Sequence, residues 1–146
     1  MTQDQARVVH AVRGWLGTPF AHQGRLKGVG CDCLGLVLGV WEELGGAVTQ
    51  EVPAYTPDWD EPGRAEVLWR ACGSHLSLTD VPVAGDVLLF RMHPRSVAKH
   101  LGFLVPAPGG DTLVHSVTRY GVVQTSLAAP LRRRQVAAFR LPGLER

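Results

Sequence analysis

The stretch Gly28-Val29-Gly30-Cys31-Asp32-Cys33-Leu34-Gly35-Leu36-Val37, continued by an apolar run to residue 44, begins as a glycine-rich loop and turns into a helix. Asp32 is a good N-cap, because its carboxylate accepts amide protons that the first helical turn leaves without partners. Cys33 then holds the first helical position. There the helix dipole favours the thiolate, the nucleophilic form of the side chain. Leu36, Val37, Val40 and Trp41 follow at helical spacing and predict a buried face. Gly35 and Gly39 predict a close approach of that face to a sheet, and Gly45-Gly46 stops the helix. A lone cysteine is more often a small buried hydrophobe than a nucleophile, so the rest of the chain has to supply a histidine partner.

Upstream, residues 3–16 read as an amphipathic helix with Val8, Val9, Val12, Trp15 and Leu16 on one face, Thr2 as its cap, and Gly17 and Pro19 ending it. Residues 17–30 are a loop rich in glycine. Downstream, residues 47–61 form an irregular connection whose Tyr55 and Trp59 read as packing over a core more readily than as lining a substrate groove. Residues 62–72 read as a helix with Ala65, Leu68 and Trp69 on one side and Cys72 at its end. Residues 74–84 are a second connection. The period then changes to two: 86–92, 100–105, 112–117, 121–125 and 135–141 are short runs rich in Val, Leu and Phe, with turns at 106–111 and 119–121. Helices followed by an antiparallel meander make an α+β layout, with residues 1–146 as a single domain.

Of the histidines, His10 and His75 have no neighbour with matching chemistry, His93 follows the first strand and reads as exposed, and His22 lies in the glycine-rich loop. His100 and His115 lie on consecutive predicted strands. If Val105 pairs with Thr112, His115 faces Gly102, and directly opposed residues point to one side of the sheet. Gly102 shares that side with His100, because strand side chains alternate. The imidazoles then project together on a diagonal, with glycine leaving room between them. A one-residue slip in register would separate them.

The 146 residues suffice for one domain with a real core. A hydrophobic content of 45% with 19% charged residues is that of an ordinary globular protein, and a formal charge of +2 is too small to argue for nucleic acid. The run Arg132-Arg133-Arg134 reads as the solvated approach to an edge strand more readily than as a site for an anionic partner. Three cysteines give no even disulfide framework, and Cys31 and Cys33 are too close for an unstrained bridge, so reduced thiols and synthesis in the cytoplasm are expected. The N-terminus lacks an apolar signal core, and no run is long enough to insert into a membrane. Zinc binding is the competing chemistry, with Cys31, Cys33, His22, His100 and His115 as ligand types. Cys-x-Cys is tighter than the common spacing and there is no second pair, so no metal and no other cofactor is expected.

Asp32-Cys33-Leu34-Gly35-Leu36-Val37 resembles the Asp-Cys-Ser-Gly-Leu-Val signature of the NlpC-type cell-wall cysteine peptidases, which have a pared-down papain-like fold. The longer phrase Gly17-Thr18-Pro19-Phe20, His22-Gln23-Gly24 and Gly30 to Val37 is similar to the phage-tail and gene-transfer-agent branch of that family. His100-Leu101-Gly102-Phe103-Leu104-Val105 resembles the strand that carries the family's general base. Leu113-Val114-His115-Ser116 resembles the next strand, which carries a polar third residue, and Ala84-Gly85-Asp86 resembles the turn into the first core strand.

The resemblance implies an NlpC-type domain of N-terminal helices packed on an antiparallel sheet of about five strands. It implies that Cys33 attacks, His100 takes its proton and His115 orients the ring of His100. The implied substrate is the peptidoglycan stem peptide, typically at the γ-D-glutamyl–diamino acid bond. The branch implies a component of a phage-like tail, in contact with hub or tip proteins, that opens a recipient wall during DNA delivery. Such a protein is made in the cytoplasm without a signal peptide and acts in the recipient periplasm. Phe20 stands where the family usually has a tyrosine whose hydroxyl helps line the site. His22, Gln23 or a backbone amide at the helix start beside Asp32 are then candidate oxyanion donors, although His22 and Gln23 read equally as solvated loop residues. The rival expectation is a catalytically idle plug subunit of a tail tip with the same fold. A third is an amidase or acyltransferase acting on another substrate.

Overall fold

The computed structural model describes residues 1–48, 52–59 and 65–144. The first helix, α1 (Gln3–Arg13), opens on a capping box in which Thr2 Oγ1 accepts from the Gln5 amide and Gln5 Oε1 accepts from the Thr2 amide, both at 3.1 Å. Val8, Val9, Ala11 and Val12 are its buried residues. The helix stops before residue 16 because its end tightens into three-residue turns, Trp15 N to Val12 O and Leu16 N to Arg13 O, and Gly17 then takes φ +86°. Trp15 stays in the core at 2% exposure, while Leu16 is exposed.

A two-stranded hairpin, β1 (Arg25–Leu26) and β2 (Gly30–Cys31), occupies part of the stretch expected to be loop. It leads directly into α2 (Cys33–Glu43), whose residues from Cys33 to Val40 are all buried. The helix is therefore central rather than one-sided. Its glycines do not face the sheet as expected. A Cβ on Gly35 would overlap the carbonyl of Gly24, and one on Gly39 would overlap the Trp15 indole. They admit the backbone just ahead of β1 and the turn that follows α1.

The third helix, α3 (Val67–His75), buries Leu68, Cys72 and His75. It runs past the expected end at Cys72, and residues 62–64 of the expected helix lie outside the described residues. The remaining elements are β3 (Ser77–Leu78), β4 (Val87–Phe90), β5 (His100–Ala107), β6 (Gly110–Val117), β7 (Gly121–Ser126), the short α4 (Ala129–Arg132) and β8 (Gln135–Arg140).

Strands β3 to β8 form one antiparallel sheet in the order β3-β8-β4-β5-β6-β7. It has six strands rather than about five, because Ser77 and Leu78 pair with Arg140 and Phe139. Two residues are too few to show alternation. Nor is the sheet a simple meander: after β7 the chain passes through α4 and returns on the far side of β4. One face of the sheet packs on the helices through Val87, Leu89, Leu101, Phe103, Val105 and Val114. The other face holds a smaller cluster of Leu88, Phe90, Leu104, Leu113 and Ala138, closed by Leu127.

At the entry to β4, Gly85 takes φ +87° and the Asp86 carboxylate is buried. It accepts from the Val83 amide at 2.8 Å and forms a bidentate pair with Arg140, at 2.9 and 2.6 Å. That pair locks the first long strand to the last.

Candidate active site

Asp32 does more than cap α2. Its Oδ1 accepts from the Gly35 amide at 2.8 Å, and its Oδ2 accepts from the Gln23 amide at 2.8 Å and from the Tyr55 hydroxyl. Gln23 reaches this carboxylate from a left-handed backbone, φ 61°. The N-cap thereby fixes the preceding loop and the connection that carries Tyr55 around the start of α2.

Cys33 is 6% exposed and lines a cavity of about 190 Å3 with Phe20, His22, Asp32, Tyr55 and His100. Burial pushes its thiol up to about 12, and the Asp32 carboxylate adds to the rise. The amides of Leu101, Leu34 and Cys33 itself favour the anion but do not overcome burial. The expectation that the helix start favours a thiolate is therefore corrected for the closed site: desolvation outweighs the dipole, and the resting group is a thiol. Cys31 is fully buried, with its thiol raised to about 11 by burial, and sits within the hairpin. Cys72 is also buried and its thiol is raised for the same reason. All three cysteines are free.

The sheet brings His100 and His115 together. Val105 pairs with Thr112 and Phe103 with Val114, so the register carries Gly102 opposite His115. His100 Nε2 lies 2.6 Å from His115 Nδ1, with ring centroids 4.8 Å apart. Gly102 serves a different neighbour from the one expected, since a Cβ there would strike Leu113 rather than fill a gap between the imidazoles. Burial pulls His100 down to about 3, with a further contribution from His115, and pulls His115 down to about 4. Both rings are neutral at pH 7.

Two ties hold the histidine strands in place, one to the strand that leads into α2 and one to the start of α3. Ser116, the neighbour of His115, donates from Oγ to the carbonyl of Cys31 at 2.8 Å. Ahead of His100, Glu66 accepts from the Ala98 amide at 2.7 Å and pairs with Arg91 at 3.2 Å.

The other expected site residues lie here with altered duties. Phe20 forms an isolated bridge with Cys31 and lines the cavity, offering no donor from its ring. His22 Nε2 lies 2.9 Å from the Tyr55 carbonyl, and Gln23 Nε2 donates to the same oxygen at 2.8 Å. Both are spent on holding Tyr55. Gln23 lines a different cavity of about 430 Å3, beyond Tyr55, which has no cysteine among its lining residues. The amides of Cys33 and Leu34 at the start of α2 stand beside the thiol and offer backbone oxyanion donors.

Tyr55, expected to pack over the core, lines the site instead. It walls three adjoining cavities, stacks on Trp59 at 3.9 Å, and meets His22 edge-on at 5.3 Å. Its phenol is pushed up by burial and by the bond to Asp32. Thr125 was not foreseen at all: its Oγ1 lies 3.0 Å from His115 Nε2. Carrying the parity argument one strand further would have found it. Among the described residues no group of three or more His, Cys, Asp or Glu could hold a metal ion, and no helix is long and apolar enough to cross a membrane.

Residues 17–140 match the sequence model of the NlpC/P60 family. Among solved structures, all of this chain superposes on 48% of NlpC2 from Trichomonas vaginalis, with a TM-score of 0.66 and 16% identity. It thus spans about half the length of that protein. The NlpC/p60 domain of the peptidoglycan hydrolase SagA is similar over 94% of this chain and 98% of its own, with a TM-score of 0.57 and 19% identity. An N-acetylmuramoyl-L-alanine amidase from Bacteroides uniformis is similar over 99% of this chain and 100% of its own, with a TM-score of 0.60 and 12% identity. At these identities the likeness is one of fold. No curated protein matches the chain in sequence.

Proposed function

Because the chain belongs to the NlpC/P60 family, we propose that it is a cysteine endopeptidase that hydrolyses peptidoglycan stem peptides, with Cys33, His100 and His115 as its triad. The observation that carries this reading is the 2.6 Å bond between His100 Nε2 and His115 Nδ1, made beside the cavity that holds Cys33. That bond uses Nε2 and leaves Nδ1 of His100 to serve the thiol. The thiol and the imidazole rest neutral, so the proton moves as the bond to substrate forms rather than beforehand.

In the first half-reaction Cys33 Sγ attacks the amide carbonyl and its proton passes to His100. The tetrahedral oxyanion takes the amides at the start of α2. Collapse breaks the C–N bond, and His100 returns the proton to the leaving amine. A thioester remains. In the second half-reaction water adds to the thioester as His100 takes its proton, the C–S bond breaks, and the thiol is restored with a free carboxylate as product.

The bond cleaved is that between γ-D-glutamate and the diamino acid, and the setting is a phage-like tail whose hub or tip carries the enzyme to the recipient periplasm. These assignments draw on the sequence phrase from Gly17 to Val37 and on the family. Digestion of purified sacculi by the wild type and by Cys33→Ala, with products identified by mass, tests the nucleophile and the bond. Fragments bearing a new amine on the diamino acid, from the wild type alone, are expected. The same fragments from Cys33→Ala, or none from either protein, overturn the reading.

A plug subunit with an idle site is the second reading, favoured by Phe20 in place of a hydroxyl-bearing residue and by the low exposure of Cys33. Acylation of Cys33 during turnover of a stem peptide favours the enzyme, and a thiol that is never acylated favours the plug.

A further inference from the structure

We infer that Thr125 is a positioning residue for the proton transfer at His100, acting through His115 as the outer member of a hydrogen-bonded relay across three strands. The inference rests on the reading of His100 as general base.

The relay is written in the register. His115 pairs with Val123 and Leu113 with Thr125, so Thr125 is the diagonal neighbour of His115 on the same face of β6 and β7. His100 Nε2 lies 2.6 Å from His115 Nδ1, and His115 Nε2 lies 3.0 Å from Thr125 Oγ1. A neutral imidazole carries one N–H and one bare nitrogen, so each bond in this row fixes the next.

Two neutral arrangements are possible. In one, His100 Nε2–H donates to His115 Nδ1, and His115 Nε2–H donates to Thr125 Oγ1. His100 Nδ1 is then bare and accepts the proton of Cys33. In the other, the Thr125 hydroxyl donates to His115 Nε2, and His115 Nδ1–H donates to His100 Nε2. The proton of His100 then sits on Nδ1, and the ring has no base to offer the thiol. The two differ in whether Thr125 accepts or donates. As an acceptor it selects the arrangement that works. When His100 becomes doubly protonated during the reaction, the same row of acceptors stabilises it without reorganising.

Ring 15N–1H correlation spectra of the free protein at pH 7, paired with hydrolysis of a stem peptide, test this. The wild type is expected to show His115 protonated on Nε2 and His100 bare on Nδ1. Thr125→Val, close in shape but without an acceptor, is expected to give a mixed His115 tautomer. Its kcat is expected to fall about tenfold, the weight of one ordinary hydrogen bond, with KM unchanged. Thr125→Ser is expected to restore both the spectrum and kcat.

Ring spectra in Thr125→Val identical to wild type overturn the relay, as does a Thr125→Ser protein that behaves like Thr125→Val. The spectra need no substrate. Loss of the tautomer in Thr125→Val therefore upholds the relay even if the wild type leaves stem peptides intact, an outcome that sinks the proposed function alone.

Discussion

His115 Nδ1 lies 2.6 Å behind Nε2 of His100, so the ring that lines the cysteine cavity is held from the next strand rather than from its own loop. His115 is buried, and its loss would strand an N–H of His100 with little access to water.

His115→Ala is therefore expected to lower kcat roughly ten- to a hundredfold with little change in KM, the range set by losing a strong hydrogen bond in the transition state. His115→Asn keeps an acceptor at that position and is expected to fall between the two. Steady-state kinetics on a stem peptide check this. Equal kcat in His115→Ala and wild type would exclude His115 from the proposed triad.

The same burial shapes stability against pH. His100 and His115 are pulled to about 3 and about 4 in the folded chain, below the ordinary histidine value. The unfolded chain therefore binds more protons between about pH 6.5 and 4, and stability falls as the pH drops through that window. A loss on the order of 6 kcal/mol is expected between pH 7 and pH 4, about 3 kcal/mol from each ring. Urea unfolding at several pH values checks it, with a double His100→Gln, His115→Gln variant as control. A double variant as steep as the wild type would assign the slope to other groups.

Arg140→Ala would leave the buried carboxylate of Asp86 without its bidentate partner. Stripping one member from a buried pair costs about 3–5 kcal/mol. A matching drop in unfolding free energy is expected, with the rate of Cys33 alkylation unchanged in the protein that remains folded. A loss under about 1 kcal/mol would mean that Asp86 finds another partner.

The glycines of the helices separate by what surrounds them. Gly35→Ala forces a methyl onto the Gly24 carbonyl and is expected to prevent folding or to cost more than about 2 kcal/mol. Gly73→Ala, in α3 with nothing within 4 Å of the added methyl, is expected to raise stability by roughly 0.5–1 kcal/mol. Thermal unfolding of the two variants checks the contrast, and equal effects would contradict the packing around α2.

What the sequence could disclose follows from range. The Asp32 cap, the Thr2 cap and the pairing of Val105 with Thr112 are set by residues a few positions apart or by a single short turn. They were legible, and the shared side of His100 and His115 followed from parity alone. The duties of Gly35, Gly39 and Gly102 were not legible, because each admits a neighbour chosen by the tertiary fold. Tyr55 reaches Asp32 from an irregular connection that has no periodicity to place it. Strand β3 is too short to alternate, and the return of β8 beside β4 is a crossover that no local pattern encodes. The thiol of Cys33 was misjudged because a helix position fixes the dipole while the depth of burial depends on everything packed around it.

Cys33 as the nucleophile is tested most directly by quenching the protein in acid during turnover of a stem peptide and mapping the adduct by peptide mass. An acyl group joined as a thioester to the peptide containing Cys33 is the expected result, absent when Cys33 is replaced by Ala. Continued hydrolysis with Cys33 never acylated would contradict it.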